Sequence, residues 1–431
     1  MREVGTTNLI GPPIIDPGVF DYRFNAFLLD TGANATLAAA AAHFDGSLLG
    51  GGVSVNPNLY PIEQRTDPTA IAMYGTDVTY FEQGIAGLEE FNVLAQADVA
   101  FAGHNGSAFA PVAGSEHTIS STRALGAPTA DFGGFAGIVG MTGQTGRHVV
   151  LDLTTMTHPV DLIGYIGVDF PGAAPATTAN TYTFDLLRLP SAPTAGQVDP
   201  SDPVPDFVDL PLIQNVGTTF TNPTTSVTAS SSGTYLVDTG AQFTIITQDT
   251  LNELGVDISD PAHVVGTLEV GGVGGTTDIT LVRLDEFILV SNDGTEHVFD
   301  DLTVGVLDIP GLPVRGILGM NVLTTGYWKH ILARSNNGAF DRAVFDFTGT
   351  NWTMQLDANP DYIAEQATYL NPKFNFFGDL GILSGALVSP ELLTVDPTAF
   401  NSLSVPLPAQ WWVAFVVLIA VVFVRHRRLA T

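Results

Sequence analysis

The chain has 431 residues, 45% of them hydrophobic, with 44 acidic against 15 basic side chains and a formal charge of −29. That length and apolar content argue against wholesale disorder and allow two or three domains, while the charge repels phosphate backbones and makes nucleic acid a poor candidate partner. Cysteine is absent, which excludes disulfides, thiolate chemistry and Cys-ligated zinc or iron–sulfur sites. The acidity fits solubility in a salty or extracellular setting. With 45 Gly and 27 Pro among many Thr, Val and Phe residues, the expected class is all-β: short strands joined by tight turns.

In chain order, the first twenty residues (MREVGTTNLIGPPIIDPGVF) contain no basic-then-apolar run, so no signal peptide is visible. Phe27-Leu-Leu-Asp30-Thr31-Gly32-Ala33 follows, an apolar run ending in an acid and a turn. Leu37–Ala42 is expected to form a short helix. Next come Tyr74-Gly75-Thr76, which reads as a hairpin tip, then Leu88-Glu-Glu-Phe91, Gly137-Ile138-Val139-Gly140-Met141 and Val150-Leu-Asp-Leu153.

A Pro- and Asp-rich stretch, Pro190–Pro205, reads as an interdomain linker with its centre at 196–205. Beyond it the same motifs recur in the same order. They are Tyr235-Leu-Val-Asp238-Thr239-Gly240-Ala241, Leu284-Asp-Glu-Phe287, Gly316-Ile317-Leu318-Gly319-Met320 and, more loosely, Val344-Phe-Asp-Phe347. A second short helix is expected at Thr250–Leu254. The repeat divides the chain into homologous lobes at 1–195 and 206–357, with loops inserted unequally. Aligning Leu88–Phe91 with Leu284–Phe287 sets Tyr74-Gly75 against the start of the glycine-rich turn at Gly271. Residues 358–404 carry no usable motif and read as an extension or stalk.

One Asp-Thr-Gly is a weak signal in a chain so rich in Thr and Gly. Two, each after an apolar run and at the same place in a repeat, are another matter. Duplication explains repeated turns but does not require an acid at both strand ends. Peptide hydrolysis without a metal or a covalent nucleophile needs one base and one acid. Two carboxyls about 3 Å apart cannot both ionise, so they share a proton and fill both roles. The glycine lets each loop turn tightly, and the Thr hydroxyls can bond across to the opposite loop.

On these residues the chain resembles a pepsin-type aspartic peptidase with both lobes on one polypeptide, over about residues 15–355. The resemblance implies two all-β lobes with a cleft between them and Asp30 and Asp238 as the catalytic pair. It implies that Thr31, Gly32, Thr239 and Gly240 form the active-site loops. Ile138-Val139-Gly140 and Ile317-Leu318-Gly319 would pass beneath them, and a flap would carry Tyr74, Gly75 and Thr76. Two departures stand out: Ala33 and Ala241 replace the Ser or Thr of pepsin itself, as in retroviral-type peptidases, and the Trp that often follows the first motif is missing. Substrate pockets therefore do not carry over.

Other chemistries find less support. The nine His residues show no HExxH spacing or nucleophile elbow, GGVGGTT lacks the phosphate-loop Lys, and no EF-hand spacing occurs. Neither a metal nor a cofactor is expected.

The final segment, 405–431, differs from the rest. Trp411–Val424 (WWVAFVVLIAVVFV) is wholly apolar and meets Arg425-His-Arg-Arg428. Fourteen residues span about 21 Å as a helix, short of a bilayer core of about 30 Å, and residues from Val405 onward bring the stretch to marginal spanning length. The basic cluster would stay cytoplasmic, with the remainder outside. Val405-Pro-Leu-Pro-Ala409, the apolar run and the basic tail also resemble a bacterial exosortase sorting signal, with Leu407 in place of the common Glu. An exosortase is then the expected processing partner, and the tail a transient anchor at the cell surface.

The expected function is that of a monomeric, extracellular or cell-surface aspartic endopeptidase acting on polypeptide. The alternative is a non-catalytic extracellular surface or matrix protein that keeps the fold as a binding module. Retention of both Asp-Thr-Gly motifs favours the enzyme.

Overall fold

The structure is a computed structural model, and it describes residues 4–5, 27–39, 62–84, 87–101, 117–127, 137–155, 166–191, 206–272, 275–308, 311–325, 338–361 and 374–375. The linker centre at 196–205 and the segment 405–431 lie outside the described residues, as does most of 358–404. The described residues are mostly strand, with four short α-helices, as the composition predicts.

In the first half the strands are β1 (Phe27–Leu29), β2 (Leu37–Ala39), β3 (Thr79–Gly84), β4 (Gly87–Val93), β5 (Ala97–Phe101) and β6 (His117–Thr122). They continue with β7 (Leu125–Ala127), β8 (Gly137–Val139), β9 (His148–Asp152), β10 (Gly167–Asp169) and β11 (Thr181–Leu189). Helices α1 (Pro68–Tyr74) and α2 (Met141–Gln144) interrupt them. Leu37–Ala39 is a strand, contrary to the helix its alanines predict: Leu37 sits between Leu125 and Ile138 of the flanking strands. Tertiary pairing overrides local propensity here.

The second half supplies β12 (Leu210–Thr221), β13 (Thr228–Val237), β14 (Ile245–Ile246), β15 (Val264–Gly272), β16 (Gly275–Arg283) and β17 (Glu286–Val290). After these come β18 (Glu296–Asp300), β19 (Thr303–Val306), β20 (Gly316–Leu318), β21 (Phe340–Asp346), β22 (Trp352–Ala358) and β23 (Phe374–Asn375). Helix α3 (Gln248–Glu253) lies where a helix is expected, capped by Thr247, whose hydroxyl accepts from Thr250 N–H; α4 (Met320–Leu323) follows β20.

Two sheets repeat one topology. The six-stranded sheet runs β1-β8-β2-β7-β4-β3, and one end of the fifteen-stranded sheet runs β13-β20-β14-β19-β16-β15. Strand for strand, the pairings agree in sense: β1 with β8 and β13 with β20 are parallel, whereas β4 with β7 and β16 with β19 are antiparallel. The hairpin tips fix the register, since Gly84 pairs with Gly87 and Gly272 with Gly275. Leu88–Phe91 therefore corresponds to Thr276–Ile279 of β16 and not to Leu284–Phe287, which leads into β17; that alignment is corrected.

The rest of the large sheet ties the halves together. Strand β9 pairs with β21, and Val150 faces Val344, the loosest of the repeated motifs, directly. Strand β11 pairs with β22 and with β12. Beneath the first sheet, Leu37, Tyr80, Phe91, Leu125 and Ile138 form a core onto which Phe207, from beyond the linker, also packs. Beneath the second, Tyr235, Phe287 and Phe299 are fully buried with edge-on ring contacts.

Candidate active site

Asp30 and Asp238 each stand one residue past the end of a strand, β1 and β13. Those strands are held in parallel by β8 and β20: Leu28 pairs with Ile138 and Leu29 with Val139, and Leu236 pairs with Ile317 and Val237 with Leu318. The apolar residues before each acid are buried or half-buried in the sheet, which fixes where the chain emerges. One further bond extends each ladder, from Asp30 N–H to Val139 O at 3.1 Å and from Asp238 N–H to Leu318 O at 3.0 Å.

Each loop then turns back over its own carboxylate. Asp30 Oδ1 accepts from Gly32 N–H at 2.7 Å and Ala33 N–H at 3.1 Å; Asp238 Oδ1 accepts from Gly240 N–H at 2.8 Å and Ala241 N–H at 3.0 Å. The threonines join the loops reciprocally. Thr31 Oγ1 donates to Val237 O at 2.7 Å and accepts from Thr239 N–H at 3.0 Å. Thr239 Oγ1 donates to Leu29 O at 2.9 Å and accepts from Thr31 N–H at 3.1 Å. Each hydroxyl thus acts as donor and acceptor, so four bonds lock two loops that are 208 residues apart in sequence.

The glycines are required by this closeness. A Cβ on Gly32 would lie 2.4 Å from Asp238 Cγ, and one on Gly240 would lie 2.5 Å from Asp30 Cγ. Gly140 and Gly319 serve the layer beneath. A Cβ at Gly140 would lie 2.0 Å from Ala35 O, and one at Gly319 would lie 2.4 Å from the carbonyl carbon and oxygen of Phe243. Met141 N–H donates to Ala33 O at 2.7 Å and Met320 N–H to Ala241 O at 2.8 Å, so the start of each short helix holds the loop above it.

Both carboxyls are raised above the ordinary range. For Asp30, burial is the first cause, followed by the negative charge of Asp238 and a hydrogen bond between the two side chains. The amides of Gly32 and Ala33 pull the other way and lose. Burial also raises Asp238, against the hydrogen bond from Asp30 and the amides of Ala241, Gly240 and Gly32. The pair titrates as a unit that retains a proton into less acidic conditions than a free carboxyl would.

Tyr74, Gly75 and Thr76 are not at a hairpin tip. Asp67 Oδ1 accepts from Thr69 N–H and Ala70 N–H, Pro68 begins the helix, and Tyr74 is the last residue of α1 at 52% exposure. Gly75 ends that helix at φ 82. The hairpin is β3–β4, closing between Gly84 and Gly87.

Sequence reading also missed the polar side chains under the loops. Thr36 and Thr142 hydroxyls meet at 2.7 Å, and at the matching place Asn321 Oδ1 accepts from Thr244 N–H at 2.8 Å and Thr244 Oγ1 at 2.7 Å. Gln144 Nε2 donates to Asp30 O at 3.0 Å. Their sequence signal is position: Thr142, Gln144 and Asn321 lie just past each Ile-X-Gly, and Thr36 and Thr244 lie just past each Asp-Thr-Gly-Ala. Among the described residues, no group of three or more His, Asp or Glu side chains is placed to hold a metal ion, and no helix is long and apolar enough to cross a membrane; residues 411–424 are not among them.

The profile of the family described as aspartyl protease matches residues 227–322, which contain Asp238 and β20. Among solved structures, the chain is similar to basic 7S globulin from soybean at 9% identity, over 80% of this chain and 90% of that one, with a TM-score of 0.37. It is also similar to a retropepsin-like aspartic protease from Rickettsia conorii, at 23% identity over 25% of this chain and 73% of that one, with a TM-score of 0.17. The comparison with curated proteins found no match.

Proposed function

We propose that the chain is an aspartic endopeptidase in which Asp30 and Asp238 share one proton and activate water against a peptide bond. The observation that carries this reading is the reciprocal Thr31–Thr239 lock, which brings two strand-end carboxyls into mutual hydrogen bonding. The profile match over residues 227–322 supports the second half of the site independently. A structural turn would need neither the acid nor its partner.

In the reaction, the ionised carboxylate takes a proton from water as the oxygen bonds to the scissile carbonyl carbon. The protonated partner gives its proton to the carbonyl oxygen, producing a neutral tetrahedral species. Collapse re-forms the carbonyl, breaks the C–N bond and delivers a proton to the departing amine. The dyad ends with one proton, as it began. The raised values for both carboxyls favour this single-proton state at weakly acidic pH.

In this reading the two repeated sheets are two lobes with the substrate cleft between them, and the β3–β4 hairpin, with its tip at Gly84–Gly87, takes the covering role first expected of Tyr74. The apolar run and basic cluster at 411–428 support a membrane tether, with the catalytic lobes on the outer side. The test is to incubate the purified chain with an unfolded protein from pH 3 to 8. Cleavage that is lost in Asp30→Asn and Asp238→Asn is expected; an inactive wild type at every pH would remove the enzyme reading.

A further inference from the structure

Gln144 is buried, with no exposed surface, at the end of α2. Its Nε2 donates to Asp30 O at 3.0 Å and to Val139 O at 3.2 Å. Both partners are carbonyls and can only accept, so the amide nitrogen must face them; the orientation of the side chain is fixed by chemistry. Val139 O also accepts from Asp30 N–H at 3.1 Å. One side-chain amide therefore stitches the strand beneath to the carbonyl of the acid itself. Asp30 C=O and Thr31 N–H belong to one rigid peptide plane, and that N–H is the group Thr239 Oγ1 accepts from. Fixing the plane from below aims both the Asp30 carboxyl and the cross-loop lock.

Among the described residues, the second half has no side-chain bond of this kind to Asp238 O. Met320 follows Gly319 as Met141 follows Gly140, so the position matching Gln144 is Leu323, a buried apolar side chain in α4. Gln144 Oε1 is itself buried with no hydrogen-bond partner among the described residues. A buried polar atom left unsatisfied is destabilising, so packing alone does not account for a glutamine where the second half carries Leu323.

We infer that Gln144 is a positioning residue for the catalytic pair, holding the Asp30–Thr31 peptide plane and making the two active-site loops inequivalent. It touches neither substrate nor reacting atoms; it acts through the backbone of Asp30. This inference rests on the peptidase reading above.

The test compares Gln144→Leu, which copies the residue the second half tolerates, with Gln144→Glu, both in the full chain. With the stitch gone, kcat of Gln144→Leu is expected to fall about 10- to 100-fold with KM within about twofold, since misplacing a catalytic group by about 1 Å costs that order. Thermal stability should change little, because losing the orphaned Oε1 offsets leaving Asp30 O without its side-chain donor. Protonated Glu keeps one donor facing the carbonyls, so Gln144→Glu should retain activity at acid pH and lose it, relative to wild type, as pH rises; Gln144→Leu should show no such recovery. A wild-type kcat in Gln144→Leu, or a Glu-to-wild-type ratio flat across pH, overturns the inference while leaving an active wild type and the peptidase reading intact. Should Gln144→Leu fail to fold, the Glu ratio decides alone. An inactive wild type sinks both.

Discussion

Under Asp238, the loop rests on Asn321, whose Oδ1 takes two bonds from Thr244, while Gly319 N–H donates to Thr244 Oγ1 at 3.2 Å and Leu323 is buried in α4. Under Asp30 the same backbone rests on a single Thr36–Thr142 hydroxyl contact, with Gln144 reaching up to the acid's own carbonyl. The upper faces of the two loops are nearly superimposable in their bonding; the supports are not. The half with the tighter polar support is also the half that matches the aspartyl protease profile. The loop geometry is thus the same in both halves, and the supports beneath it differ. Substitutions in paired positions separate the two.

The largest effect is expected on top, where the halves agree. Asp30→Asn and Asp238→Asn should each abolish turnover, because an amide is neither base nor shared-proton acid; substantial activity in either purified variant sinks the mechanism. Stability should move the other way. The folded state holds both carboxyls above their ordinary range, so it binds protons more tightly than the unfolded chain. Stability from this source is fully present at acid pH and is lost as pH rises through the raised values. An amide has no such loss, so either variant should match or exceed the wild-type Tm at neutral pH.

Next come the glycines. Gly32→Ala and Gly240→Ala place a methyl inside the opposite carboxyl's contact distance, 2.4 and 2.5 Å from its carbon. Each should reduce kcat by about 100-fold or more through displacement of the acid across the site. The comparison sharpens if the two losses are equal, since each methyl strikes the other half's acid. A kcat within a few-fold of wild type would show that the loops are not held as closely as described.

Below the loops the halves should part. Asn321→Ala leaves Thr244 N–H and its hydroxyl without their acceptor in a buried layer, a cost of about 2–4 kcal/mol. Thr142→Ala removes one hydroxyl contact and should cost about 1 kcal/mol. Denaturant titration of both variants measures the difference; equal losses would mean that the polar supports are equivalent after all.

The repeated Asp-Thr-Gly and Ile-X-Gly motifs were legible because each joins a strand pattern to residues with one physical job: an acid at a strand end, a hydroxyl that must donate and accept, and a glycine where a Cβ cannot fit. The class of fold was legible from turn-rich, β-branched composition. The β3–β4 hairpin was not, since Tyr74-Gly75 resembles a turn and in fact closes a helix. The signal that decides it is Asp67 at the N-cap ahead of Pro68, its carboxylate accepting from Thr69 N–H and Ala70 N–H. Likewise Leu284–Phe287 shares letters with Leu88–Phe91, while the true register lies in glycine pairs that close both hairpins. Leu37–Ala39 became a strand through partners at Leu125 and Ile138, far along the chain, which no local window contains. Gln144 had no pattern to announce it, because its partners are backbone carbonyls.

The smallest expected effect concerns pH, and it returns to a feature the halves share. Ala33 and Ala241 occupy the place where pepsin itself carries a hydroxyl, and Ala33 N–H already lies 3.1 Å from Asp30 Oδ1 and Ala241 N–H 3.0 Å from Asp238 Oδ1. A hydroxyl on either Cβ comes within reach of the carboxylate, and a donor to the charged form lowers the pKa. In the native chain backbone amides, joined at Asp238 by the hydrogen bond from Asp30, oppose burial, and both carboxyls end up raised. Activity needs one proton on the pair, so the working window should sit at weakly acidic to near-neutral pH. Ala33→Ser and Ala241→Thr together should move the kcat/KM profile to lower pH while changing its height little, because neither residue reacts. Each single variant tests one loop: Ala33→Ser in the loop whose Asp30 carbonyl takes the Gln144 bond, and Ala241→Thr in the loop where Leu323 holds the matching position. A wild-type optimum near pH 2, or a double variant with an unmoved profile, would show that groups other than these hydroxyls set the acidity of the dyad.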